Sequence, residues 1–329
     1  MKLKNPLSWL LAAGLTLISG FALAEQRSEP LKVVTTFSIL QDMTQVVGGE
    51  RVAVTTLVAA NEDAHVYQPR PSDSRTLVQA DLVIQNGLDF KGWMDRLLEA
   101  SGYQGELVTA TDGIQRIRMG AEEDHHDHHD HHDHGHSHGH SHGHNHGHDH
   151  HDHGDYDPHA WQSLVEAQVY VDNILQGLIA VDPEGQAYYQ QRAEAYQAEM
   201  QELHSAMKAR FDALPDARRQ VMTPHDAFGY LASTYGLKLV APQGVSTASE
   251  PSASEMAALV RQLRDQQVTA VFMENIGDTR LVEQLQRETG AKLGGTLYSD
   301  ALSVESESAG TYLKMMQHNL ETLLSALEP

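Results

Sequence analysis

The chemistry in this chain is announced by imidazole. Of its 22 histidines, seventeen fall in one tract from His125 to His153: His125, His126, His128, His129, His131, His132, His134, His136, His138, His140, His142, His144, His146, His148, His150, His151 and His153. Only His65, His159, His204, His225 and His318 lie elsewhere. Imidazole is the commonest protein ligand for zinc and similar borderline metals, and near neutral pH it is largely uncharged and able to coordinate. The residue types therefore point to metal handling. The rest of the chain must say whether a metal is carried, stored, sensed or used.

The sparse histidines differ in setting. His65 lies in the polar loop 59–71 after a predicted strand, His159 follows Asp157-Pro158 at a predicted helix start, and His225 ends the predicted strand holding Val221 and Met222. Asp300 has the corresponding place after the strand ending in Leu297-Tyr298. Open α/β sheets bind ligands beyond their strand ends, and three imidazoles with one carboxylate complete a tetrahedral set for Zn(II). Glu250 and Glu274 are candidates to orient ligand histidines from behind, although each also reads as a strand-end or loop carboxylate in water. His204, inside a long predicted helix, and His318, off the Tyr312/Met316/Leu320 stripe, read as ordinary hydrogen-bonding residues. Met200, Met207, Met315 and Met316 sit on core stripes and are not read as copper ligands.

The elements that must position these residues alternate. Strands are predicted over 32–37, 51–58 and 81–86 with helices over 38–47, 71 onward and 92–100 between and after them. Beyond the tract a helix is predicted over 161–179. Asp182-Pro183 then opens a second, stopped by Pro215, with Tyr189, Ala193, Tyr196, Met200, Leu203, Met207, Phe211 and Leu214 on one stripe. Strands at 219–223, 237–241, 268–273 and 291–298 alternate with helices at 227–235, 256–266, 279–289 and 312–327. The expected fold class is α/β: two lobes, each a mainly parallel sheet flanked by helices, bridged by one long rigid helix. The expected bounds are 25–120 and 156–181 for the first lobe, 182–214 for the link and 215–329 for the second lobe.

The stretch 121–155 has no apolar residue after Ala121, so it is expected to be a disordered surface loop that captures metal at weak, interchangeable sites. A solvated spacer is the plainer alternative. The first 24 residues read as a cleaved signal peptide: Lys2 and Lys4, an apolar run, then Ala22-Leu23-Ala24. An uncleaved anchor is the alternative there. No later stretch approaches the length of a membrane helix, so no stable membrane insertion is expected after cleavage. The absence of cysteine excludes disulfides and thiolate metal sites, and a formal charge of −22 argues against nucleic-acid partners.

Six short segments, in this order, resemble the zinc and manganese binding proteins of bacterial ABC importers: DAHVYQPRPSD around His65, ADLVIQNGLDFKGWMD, DPHAW around His159, TPHDAFGY around His225, VFMENIGD around Glu274 and LYSDALS around Asp300. The resemblance covers nearly all of the mature chain. It implies two α/β lobes joined by a rigid helix, with the metal between them on His65, His159, His225 and Asp300. Manganese-type members carry a carboxylate at the third place, so His225 and the His-rich tract look like the zinc type. The function implied is capture of Zn(II) in the periplasm, as transported ligand rather than cofactor, and delivery to an ABC-type permease by a monomeric, non-enzymatic protein. The rivals are a zinc buffer or metal-binding adhesin without transport role, import of another divalent metal such as manganese, and a metallohydrolase using Asp300 as general base.

Overall fold

The computed structural model describes residues 29–88, 90, 92–119, 155–241, 247, 253–265, 268, 270–277 and 279–328. The expected signal peptide, the seventeen tract histidines and Glu250 lie outside the described residues.

The first lobe is built from β1 (Leu31–Phe37), α1 (Ser38–Gly48), β2 (Val52–Val58), α2 (Pro71–Val78), β3 (Leu82–Gln85), α3 (Trp93–Ser101) and β4 (Glu106–Thr109). Its sheet is parallel throughout, in the order β2-β1-β3-β4. The central strand β1 is buried at every position but Lys32, as expected of a parallel strand covered on both faces. The strand β4 has no counterpart in the sequence reading. It is a four-residue edge strand, Glu-Leu-Val-Thr, with Glu106 and Leu107 exposed, so it shows neither an apolar run nor an alternation.

After the stretch 120–154 the chain makes a 3-10 turn, Ala160–Gln162, and two helices, α4 (Glu166–Val181) and α5 (Gln186–Asp212). The predicted helix over 161–179 thus begins later, because Trp161 and Gln162 are buried and turn their polar atoms onto the second lobe. The predicted link also begins later: Pro183–Gly185 forms a 3-10 turn before α5. There Asp182 Oδ2 receives hydrogen bonds from Arg51 Nη2 at 2.7 Å and Tyr189 Oη at 2.6 Å, tying the corner to the turn before β2. The 27 residues of α5 span about 40 Å at about 1.5 Å per residue, and its stripe from Tyr189 to Leu214 is buried except at Leu203, which is half-buried.

The second lobe repeats the first: β5 (Gln220–Met222), α6 (Gly229–Tyr235), β6 (Lys238–Val240), α7 (Ala253–Asp265), β7 (Ala270–Glu274), α8 (Thr279–Thr289), β8 (Lys292–Leu297) and α9 (Tyr312–Leu327). The sheet is again parallel, in the order β6-β5-β7-β8. One apolar core runs through both lobes, from β1 and α1 through α4 and α5 to α6 and α9. A smaller one, with Met222, Leu263, Val271 and Leu285, fills the space under α7 and α8. Hydrogen bonds cross between the lobes from Trp161 Nε1 to Ser299 O at 2.9 Å, from Tyr312 Oη to Trp161 O at 2.6 Å and from Leu302 N to Ser38 Oγ at 3.0 Å. Among the described residues no helix is long and apolar enough to cross a membrane.

Candidate metal centre

Each of the four residues singled out by type stands just beyond a strand or at a turn, on a backbone held by its own hydrogen bonds. His65 lies in the loop after β2, where Asp63 Oδ1 accepts from its backbone N–H at 2.7 Å and Trp93 Nε1 donates to Ala64 O at 3.1 Å. His159 repeats the arrangement: Asp157 Oδ1 accepts from its backbone N–H at 2.9 Å, and Asn86 Nδ2 donates to Pro158 O at 3.0 Å. His225 follows β5 and donates its backbone N–H to Glu274 Oε1, at the end of β7, at 3.0 Å. Asp300 follows β8 in a loop whose Leu302 O accepts from Asn61 N at 2.8 Å, in the opposite lobe.

The structure brings these four side chains together. One ligating atom from each of His65, His159, His225 and Asp300 lies within 4.8 Å of all the others, and all four residues are buried. His65 Nε2 lies 3.4 Å from His159 Nε2, while Asp300 oxygens lie 3.5 Å from His159 Nε2 and 3.4 Å from His225 Nε2. Tetrahedral ligands held at about 2.0–2.1 Å from a Zn(II) ion are separated by roughly 3.3 Å, so these spacings suit a small cation. His65 Nε2 and Asp300 Oδ2 stand closer, at 2.6 Å, an ion-pair contact that a cation between them would lengthen. His225 Nε2 and both Asp300 oxygens are buried without a well-formed hydrogen bond. Buried polar atoms without well-formed hydrogen bonds are rare, and a cation would satisfy all three. Phe90 and Trp161 wall the cluster, their rings 5.3 Å from His65 and 5.2 Å from His159.

The outer ring nitrogens are engaged at two of the three imidazoles. His159 Nδ1 meets Asp157 Oδ1 at 2.8 Å, and His225 Nδ1 meets the Glu274 carboxylate. Each carboxylate favours the tautomer that carries its proton on Nδ1 and leaves Nε2 free to coordinate. His65 Nδ1 is buried without such a partner.

Charge within the cluster is strongly redistributed. Burial works to raise the Asp300 carboxyl, but His65, His159 and His225 together outweigh it and hold it well below the usual carboxylate range. Burial lowers His65, against the pull of Asp300. Burial also works to lower His225, yet Glu274 and Asp300 reverse it and hold that imidazole well above its ordinary value.

Glu274, read from the sequence as a candidate orienting residue, stands against His225. Glu250 lies outside the described residues. His204 and His318 are apart from the cluster, with Nδ1 3.3 Å from Tyr235 Oη and Nε2 3.0 Å from Thr296 O. Sequence reasoning did not single out Asp157. Its signal was the repeated Asp-x-His of Asp63-Ala64-His65 and Asp157-Pro158-His159, since an aspartate two residues before a turn residue accepts from that residue's N–H.

A family model described as ZnuA, zinc-uptake complex component A periplasmic, matches residues 33–326. The manganese-binding lipoprotein MntA of Halalkalibacterium halodurans is 28% identical over 299 residues, covering 91% of this chain and 89% of that one. The iron-binding protein YfeA of Yersinia pestis is 28% identical over 313 residues, covering 94% and 91%. Among solved structures, the periplasmic zinc-binding protein TroA of Treponema pallidum superposes with a TM-score of 0.77 at 27% identity, covering 91% of this chain and 100% of that one. A Mn-bound periplasmic metal-binding protein from Candidatus Liberibacter asiaticus gives 0.74 at 27% identity, covering 90% and 99%. The chain therefore belongs to the ZnuA family, the metal-binding solute-binding proteins of ABC importers.

Proposed function

We propose that the mature protein captures Zn(II) in the periplasm and delivers it to the membrane permease of an ABC importer. The ion is held between the lobes by His65, His159, His225 and Asp300, with residues 25–120 and 156–181 as one lobe, 182–214 as the link and 215–329 as the other. The observation that carries this reading is the donor set: three imidazole nitrogens and one carboxylate, all buried, converging within 4.8 Å. Nitrogen-rich sets favour zinc, while oxygen-rich sets suit manganese. Asp157 and Glu274 serve as orienting partners, and the His-rich tract supplies weaker auxiliary capture. With four protein ligands no position remains for a substrate water, which argues against hydrolytic chemistry.

Manganese is the second reading, favoured by the names of relatives: MntA is a manganese-binding lipoprotein, and PsaA of Streptococcus pneumoniae is a manganese ABC transporter lipoprotein. Elemental analysis of the protein recovered from periplasm, paired with uptake by a strain lacking its gene, separates the two. Zinc in the isolated protein and zinc uptake lost under limitation support the first reading. Bound manganese with normal zinc uptake supports the second.

A further inference from the structure

Away from the histidine cluster, a cavity of about 580 Å³ opens where α1, α5 and the start of α9 meet. Its size suits a small organic molecule, and its lining joins opposite charges with aromatic faces: Asp42, Tyr188, Arg192, Tyr196, Glu199 and Thr311.

Three of these groups have unused capacity. Tyr196 is 4% exposed, and its hydroxyl, whose polar neighbour is the Asp42 carboxyl, makes no well-formed hydrogen bond. Asp42 Oδ2 accepts from Tyr312 N at 2.8 Å. Burial nonetheless raises the Asp42 carboxyl, because the Tyr312 N–H, Tyr196 and, most weakly, Lys314 do not fully offset the loss of water. Arg192 spends Nε on Val46 O at 2.7 Å and lays its guanidinium 5.5 Å from the Tyr188 ring centre. Its terminal amino groups make no hydrogen bond among the described residues and can present a fork to a carboxylate.

We propose that this cavity is a second ligand site, for a small zwitterion carrying both an ammonium and a carboxylate, as free amino acids and dipeptides do. The ammonium sits against Asp42 and the Tyr196 hydroxyl, adding a close charge partner to a half-buried acid. The carboxylate sits on Arg192, and the Tyr188 face covers the apolar part of the ligand. Glu199, exposed at the rim, disfavours ligands that carry only negative charge. The site shares none of its residues with the histidine cluster, so it stands whichever metal that cluster takes.

The test is calorimetric titration of the full chain with phenylalanine and with glycylphenylalanine, against phenethylamine and 3-phenylpropionate, which each lack one of the charges. One of the two zwitterions is expected to bind saturably, which distinguishes amino acid from peptide, and both controls roughly tenfold or more weakly. Arg192→Gln is expected to weaken the zwitterion by a similar factor. Ala195→Trp, at an exposed position lining the cavity, is expected to block it, with zinc titration unchanged in both variants. These two variants decide the matter even where Asp42→Asn, which alters the partner of Tyr312, fails to fold. Absence of saturable binding by either zwitterion, equal binding of a singly charged control, or indifference to both variants would overturn the proposal.

Discussion

Glu274 and Asp157 reach the candidate site only through the imidazoles they hold, and that separates their effect from the effect of a ligand. Glu274→Gln and Asp157→Asn keep the shape of the side chain but weaken the hold on Nδ1 of His225 and His159. Each variant is expected to lose about 10–100-fold in zinc affinity while keeping a wild-type circular dichroism spectrum, measured by competition with a chelating dye. Unchanged affinity in both would remove the orienting role.

The charges of the metal-free site make a second prediction at the same scale. His225 stands well above its ordinary value, so it keeps its proton near pH 7, yet it must lose that proton to coordinate. Zinc binding is therefore expected to release roughly one proton there, seen as different calorimetric enthalpies in phosphate and Tris at pH 7. Buffer-independent enthalpies would contradict it. For folding, the raised His225 value contributes stability that is fully present below about pH 6.5 and is lost as pH rises through the folded value. The depressed Asp300 value contributes stability present above about pH 3.9 and lost as pH falls through its own folded value.

Among the elements, α5 carries the two-lobed form. Phe211 is fully buried on its stripe, with its ring centre 5.0 Å from that of Tyr235 in α6. Phe211→Ala is expected to lower unfolding stability by about 3–5 kcal/mol in urea titration, and a loss well under about 1 kcal/mol would show that the stripe does not pack as described. How legible each element was follows from where its signal lies. The helices Thr279–Thr289 and Tyr312–Leu327 have the bounds read from sequence, because amphipathic spacing is a local property. The edge strand β4 escaped because its pairing with β3 is what makes it a strand. Pro183 marked the right corner, but the 3-10 turn there accompanies contacts of Asp182 with Arg51, 131 positions away. His65, His225 and Asp300 were legible as candidates because a lone imidazole or carboxylate just after a strand is conspicuous, and His159 because it opens an element. Asp157 was not, because its role exists only once the turn has formed.

Across the whole molecule the two lobes share one core and are laced by buried hydrogen bonds at Ser38, Trp161, Ser299 and Tyr312. Domains joined by small polar interfaces move freely, and this interface is neither small nor separate from the core. Small-angle scattering of metal-free and zinc-loaded protein is therefore expected to give superimposable curves, and a clear compaction on loading would show that the lobes hinge. On the proposed function, the sparse histidines and not the abundant ones make the tight site. Zinc titration of the chain lacking residues 124–153, beside the same chain carrying His159→Ala, tests it most directly. The first is expected to show one tight site per molecule and the second none, both folded. A tight site that survives His159→Ala, or disappears with the tract alone, would contradict it.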